Sequence, residues 1–196
     1  MKNAIGIVAA LLLVGGAARA ERIHASPRSQ HANVNATRVH NILFGVDTEV
    51  AVPLGNYSDF NSVGGGPILS AEYTLTDTWG ATLRMGFQGH VDRTFAGVDS
   101  HVHSIPVLLG TKYYLGSDRE GMFGAFEAGM FDLMSSVNRP GFASVTSNDL
   151  KFGMGVGIGY QQERWSARIN LHTQDVGNFG NAFMVTTGIG YHFGTF

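Results

Sequence analysis

From Ile42 to Phe193 the chain alternates between apolar residues and small or polar ones, with a period of two. That period belongs to strands with two unlike faces, whereas a helix would repeat every 3.6 residues. The first run, Ile42 to Leu54, sets Ile42, Phe44, Val46, Val50, Val52 and Leu54 against Leu43, Gly45, Asp47, Glu49 and Ala51. Seven more follow, at about 67–75, 79–91, 102–115, 122–134, 150–161, 164–175 and 183–193. In the third, Trp79, Ala81, Leu83, Met85 and Phe87 oppose Thr82, Arg84, Gly86, Gln88 and His90. In the fifth, Phe126, Ala128 and Met130 oppose Phe123, Ala125, Glu127, Gly129 and Phe131. In the sixth, Phe152, Met154, Val156, Ile158 and Tyr160 oppose Gly153, Gly155, Gly157 and Gly159.

Each run is nine to fourteen residues long. Strands of soluble proteins average about 5–6 residues, and strands that cross a bilayer need about 9–11. The connections alternate as well. Residues 55–66, 92–101, 135–149 and 175–182 are long and polar, while 76–78, 116–121 and 162–163 are short. Short periplasmic turns and long outer loops are the pattern of a membrane barrel. The reading is therefore all-β: an eight-stranded antiparallel up-and-down transmembrane β-barrel, with a lipid-facing exterior and a polar interior. The longest outer loop is expected from Ser135 to Asp149.

Composition fits this division of faces. Only 14% of residues are charged, against about 25% in an average soluble protein. There is no Cys, which excludes disulfides and thiol chemistry. A formal charge of −2 leaves no basic footprint for nucleic acid. The 27 Gly concentrate on polar faces and in turns, where they make room in a narrow interior. Tyr73, Trp79, Tyr113, Tyr160, Trp165, Tyr191 and Phe193 sit near strand ends, as an interfacial aromatic girdle would.

Residues 1–20 read as a cleaved export signal. Lys2 precedes an apolar stretch from Ala4 to Val14, and small residues lead to Ala18-Arg19-Ala20. The apolar stretch is too short for a spanning helix. Removing this segment, which holds two of the 13 basic residues and no acidic one, takes the formal charge from −2 to −4. Residues 21–40 are polar and aperiodic, and form an N-terminal lead to a barrel domain at 41–196. His24, His31 and His40 in the lead are too widely spaced to define a metal site.

Together these runs resemble the OmpA/OmpX-type eight-stranded outer-membrane β-barrels, a porin-like family of the Gram-negative cell envelope, over residues 41–196. The last run carries the assembly signature of that family: Phe183, Val185, Thr187, Ile189, Tyr191 and Phe193 alternate toward a terminal aromatic. Phe196 is out of phase with that stripe. The resemblance implies placement in the outer membrane, contact with its lipids and lipopolysaccharide, recognition by the barrel-assembly machinery, and a monomer. It implies no cofactor and no nucleic-acid partner.

Five charges fall in mid-strand on polar faces: Glu72, Arg84, Lys112, Glu127 and Arg168. An unpaired charge in a narrow interior is costly, so these are expected to pair across the barrel. No catalytic or metal site is expected. His101 and His103 share a face near the outer end of the fourth run, with Asp132 on the neighbouring strand. Ser104 points the other way, which breaks a nucleophile–base geometry. His172 and Gln174 resemble the place where a lipid A deacylase family carries His-x-Ser, but Gln174 replaces the Ser. Gly64, Gly65 and Gly66 precede no helix, so they make no phosphate loop. The function expected is a structural or surface-interaction barrel displaying four outer loops, and not a wide porin. A small gated pore is the alternative, and an outer-leaflet lipid A-modifying enzyme is a more remote one.

Overall fold

The computed structural model describes residues 41–95, 97–116 and 119–195. The export signal, the lead and Phe196 lie outside the described residues. Ten strands form: β1 (Ile42–Pro53), β2 (Gly64–Thr74), β3 (Trp79–Gly86), β4 (Gly89–His90), β5 (Arg93–Phe95), β6 (Val98–Tyr114), β7 (Gly121–Asn138), β8 (Val145–Gln162), β9 (Trp165–Thr173) and β10 (Phe183–Thr195). Eight of them make the wall, in the order β1-β10-β9-β8-β7-β6-β3-β2, and β2 returns to β1. Every neighbouring pair in this wall is antiparallel. The sheet closes on itself, which removes the edge an open sheet would leave. No helix among the described residues is long and apolar enough to cross a membrane.

One rim carries Ile42, Thr195 and the short turns, and is called here the terminal rim. The opposite one is the loop rim. Strand parity sorts the side chains as the alternation predicts. Leu69, Leu83, Leu109, Phe126, Val156, Ile158 and Ile189 point outward and are exposed, Leu109 at 67%. Asp47, Glu49, Glu72, Arg84, Glu127 and Arg168 point inward and are buried. An inside-out distribution of this kind suits a wall whose outer solvent is lipid.

Glycine sets how closely the inner side chains approach. On β8, Gly153, Gly155, Gly157 and Gly159 all face in. A Cβ at Gly157 would strike the Asn170 side chain, and one at Gly159 would strike the Phe123 ring. The large neighbours occupy the space these glycines vacate.

The loop rim departs from the expected long loops. β7 runs on to Asn138 and β8 begins at Val145, paired in register through Val137↔Val145. The stretch expected as a loop from Ser135 to Asp149 is thus mostly a hairpin, and 139–144 is its turn. The alternation does not reveal it because residues 138–150 are exposed on both faces, so neither face selects for apolar side chains. Residues 92–101 similarly contribute a hairpin, with β5 paired on β6. Tyr57–Phe60 form one helical turn in the first connection, and Val176–Asn181 a 3-10 segment in the last.

Candidate functional site: the interior ion-pair tiers and the loop rim

All five mid-strand charges lie inside the barrel, in two tiers. The tier at mid-height centres on Arg84 of β3. Its Nη1 donates to Glu127 Oε2 at 3.1 Å. Its Nη2 donates to Asp47 Oδ2 at 3.2 Å and also pairs with Glu49. Arg168 of β9 approaches Glu127 from the other side, with Nη2 2.6 Å from Oε1. Arg168 also donates to Asn170 Oδ1, at 3.2 Å from Nε and 2.9 Å from Nη2. Asn170 Nδ2 then donates to Thr186 Oγ1 of β10 at 3.1 Å. The tier therefore ties β1, β3, β7, β9 and β10 together across the lumen. Arg84, at 2% exposure, is almost completely dry.

The second tier lies toward the terminal rim, around Glu72 of β2. Lys112 Nζ donates to Glu72 Oε2 at 2.9 Å. The Tyr114 hydroxyl lies 3.0 Å from Glu72 Oε1. Lys112 Nζ also sits 4.7 Å from the centre of the Phe123 ring, over its negative face. A third donor comes from outside the wall: Arg119, in the turn between β6 and β7, reaches in to pair with Glu72 and Thr74. Arg119 adopts φ 56°, a left-handed conformation uncommon for a side chain of this size.

The tiers complement each other. The mid-height tier holds three carboxylates and two guanidiniums; the lower holds one carboxylate and two cations. Charge is thus balanced between levels rather than within each one. Above the mid-height tier, Gln88 Nε2 donates to Glu49 Oε2 at 3.3 Å, and Ser104 Oγ donates to Gln88 Oε1 at 3.1 Å. Gln174 Nε2 donates to Ser104 Oγ at 3.3 Å. A void of about 10 Å³ beside Glu49, Arg84, Gln88 and His172 has room for about one water.

Alternation finds Glu72, Arg84, Lys112, Glu127 and Arg168. It also places Asp47 and Glu49 on the inner face of the first run, but their share in the Arg84 cluster depends on register, which alternation does not give. Arg119 carries no sequence signal, because it lies in a turn and has no strand parity. The outward stripe of β10 carries Phe183, Val185, Ile189, Tyr191 and Phe193, with Tyr191 packed on Trp165 at 4.9 Å. Trp79 and Tyr113 make a matching pair at 4.9 Å. Both pairs lie at the terminal rim.

At the loop rim, Ser104 faces the interior and is fully buried, while His101 and His103 lie on the outer face. Asp132 stands opposite Ile105, also on that face. His172 and Gln174 are buried inside. Lys151 lies 2.8 Å from Asp149 and 3.5 Å from Asp175. Asn61 is fully buried and binds the backbone of Val102 on both sides, receiving its N–H and donating to its C=O, each at 3.1 Å. It also donates to the Tyr57 hydroxyl at 3.1 Å, and burial holds that phenol at about 12, above its ordinary value.

No protein-family model and no curated protein matches the chain. Solved structures do. Ail, the attachment invasion locus protein of Yersinia pestis, superposes with a TM-score of 0.56 at 12% identity, over 80% of this chain and 100% of Ail. The N-terminal β-barrel domain of Pseudomonas aeruginosa OprF matches at 18% identity with a TM-score of 0.46, over 79% of this chain and 98% of that one. Neisserial surface protein A matches at 15% identity with a TM-score of 0.46, over 80% of this chain and 98% of that one. The closed antiparallel wall and the Ail superposition define the class: an eight-stranded outer-membrane β-barrel fold. Within that class the chain has the OmpA/OmpX-type architecture.

Proposed function

We propose that this protein resides in the outer membrane and serves as a surface-interaction barrel, its loop rim facing outward and its terminal rim facing the periplasm. One observation supports this reading above the others. β6, β7 and β8 run on past the wall and, with β5, form a sheet of their own, whose last strand has no strand partner on its far side. β8 pairs with β9 only from Met154 onward, where it meets Thr173. From Val145 to Gly153 the backbone of β8 has a strand on the β7 side only. An exposed strand edge presents unpaired N–H and C=O groups and accepts an added strand from a partner. A rigid wall that holds such an edge clear of the membrane is a docking platform.

The interior supports a narrow or silent lumen. Eight strands leave room for side chains and little else. Planar-bilayer recording of the refolded protein is expected to show no conductance; steady channels would favour the small gated pore.

The docking reading is tested by replacing residues 132–150 with a two-residue Asn-Gly turn between the register partners Phe131 and Lys151, which removes most of that edge. The shortened barrel is expected to remain heat-modifiable on a denaturing gel and to lose adhesion of whole cells to immobilised extended peptides. Equal adhesion before and after shortening would overturn the reading.

A further inference from the structure

The two aromatic pairs on the outer side of the terminal rim look alike but differ in charge. Trp79 packs on Tyr113 and Trp165 on Tyr191, each pair with ring centres 4.9 Å apart. These are the two tryptophans of the chain. The turn before Trp79 holds Asp77 and no basic residue. The turn before Trp165 holds Arg164, whose Nη1 lies 3.4 Å from the Tyr191 hydroxyl. Arg164 is exposed, and among the described residues it enters no ion pair. Glu120 takes the Glu163 N–H at 3.3 Å on the β7 side of this turn, while Arg164 reaches to the β10 side.

A guanidinium offers five N–H donors in a planar fork that fits the oxygens of a phosphate. Arg164 uses one of them, in a long bond to a phenol. Tyr191 accepts that bond and keeps its own O–H to donate. A cation and a hydroxyl donor therefore stand together beside an exposed indole. Arginine and aromatic side chains at this border of an apolar belt sit at the height of lipid headgroups.

Register sets what lies between this group and mid-height. Trp165 stands opposite Tyr191 on one side and Gln162 on the other. The next outward row is Tyr160, Ala167 and Ile189, with Ala167 opposite both neighbours. Tyr160 and Ile189 are large and exposed, and only a methyl group stands between them. The wall is thus hollowed at Ala167, over two strand spacings, or about 9–10 Å. The hollow leads from the aromatic pair into the apolar belt, and its width admits an acyl chain.

We infer that Arg164, Tyr191 and Trp165 form a binding site for one phospholipid at the terminal rim. The guanidinium and the phenol O–H hold the phosphate diester, Trp165 flanks the glycerol, and an acyl chain lies in the hollow at Ala167. The site rests on the outer-membrane placement proposed above. The Trp79–Tyr113 pair, with an acid in its turn, lacks the phosphate ligand and serves as the control within the same molecule.

The full chain is refolded in dodecyl maltoside micelles, whose headgroups carry no phosphate, and folding is checked by heat-modifiable migration. Tryptophan fluorescence is then titrated with phosphatidylglycerol carrying brominated acyl chains, which quench on contact, or with diacylglycerol carrying the same chains. Trp79→Phe leaves Trp165 as the reporter, and Trp165→Phe leaves Trp79. At Trp165, half-quenching is expected at about tenfold less phospholipid than diacylglycerol, the scale of one charge-assisted hydrogen bond. Arg164→Gln in the Trp79→Phe chain should abolish that preference, and Arg164→Lys should restore part of it. At Trp79 the two lipids should quench alike. Excess inorganic phosphate should leave the quenching in place; its reversal would make a free anion the ligand and overturn the proposal. An equal preference at the two tryptophans, or one that survives Arg164→Gln, overturns it as well. A folded barrel in which neither lipid quenches either tryptophan overturns the membrane placement and the site with it.

Discussion

The two interior tiers solve one problem by different means. The mid-height tier is built wholly from strand residues, and its guanidiniums are held from opposite sides of Glu127. The lower tier takes one of its two cations from a turn, since Arg119 reaches back through the terminal rim to Glu72. Strand positions are fixed by hydrogen-bonded register, so a network made from them is rigid once the wall closes. A turn residue must be held by its own contacts, and Arg119 holds a left-handed backbone while making them. The mid-height tier is thus expected to determine stability, and the lower tier to tolerate change at its turn-borne member.

The largest effect should come from Arg84→Ala. It leaves Asp47, Glu49 and Glu127 facing one another with Arg168 as the remaining guanidinium, and removing one partner of a buried pair costs about 3–5 kcal/mol. Urea unfolding in lipid vesicles measures it, and a loss below about 1 kcal/mol would break the contrast between tiers. Glu72→Ala should be next. It leaves Lys112 and Arg119 without their shared carboxylate, but Lys112 keeps the Phe123 ring and Arg119 keeps Thr74; a cost of about 3 kcal/mol, the low end for a buried pair, is expected in the same assay. Gly157→Ala tests packing in place of charge. Its Cβ meets the Asn170 side chain that Arg168 binds, and overpacking of this kind costs about 1–3 kcal/mol. The smallest effect is expected from Arg119→Gly. Relief of the left-handed backbone, about 1 kcal/mol, offsets part of the lost pair. An Arg119→Gly loss as large as that of Arg84→Ala would show that the turn is as rigid as the wall.

What the sequence discloses follows the same division. Wherever a strand has lipid on one side and packed lumen on the other, the two faces need different residues, and a period of two records it. That holds for Leu69, Leu83 and Ile189 outside, and for Glu72, Arg84 and Arg168 inside. The record stops where the two environments become alike. From Val137 on β7 to Leu150 on β8 both faces are exposed, so a hairpin there reads as a polar loop. It stops again at turns, which explains Arg119. Pairing partners are hidden for a third reason: alternation tells which face a charge occupies but not its height, and Asp47 and Glu49 meet Arg84 only because β1, β2 and β3 align at that level.

The closing of β1 on β10 has a consequence for how the chain could be recut. Leu43 lies opposite Thr195, so the two ends of the wall are neighbours on one rim. The seam is joined by the same ladder of hydrogen bonds as every other pair of strands. A linker from Thr195 to Ile42, with new ends opened in the exposed 139–144 turn, would make a circular permutant. The same wall would then carry its free ends on the opposite side of the membrane.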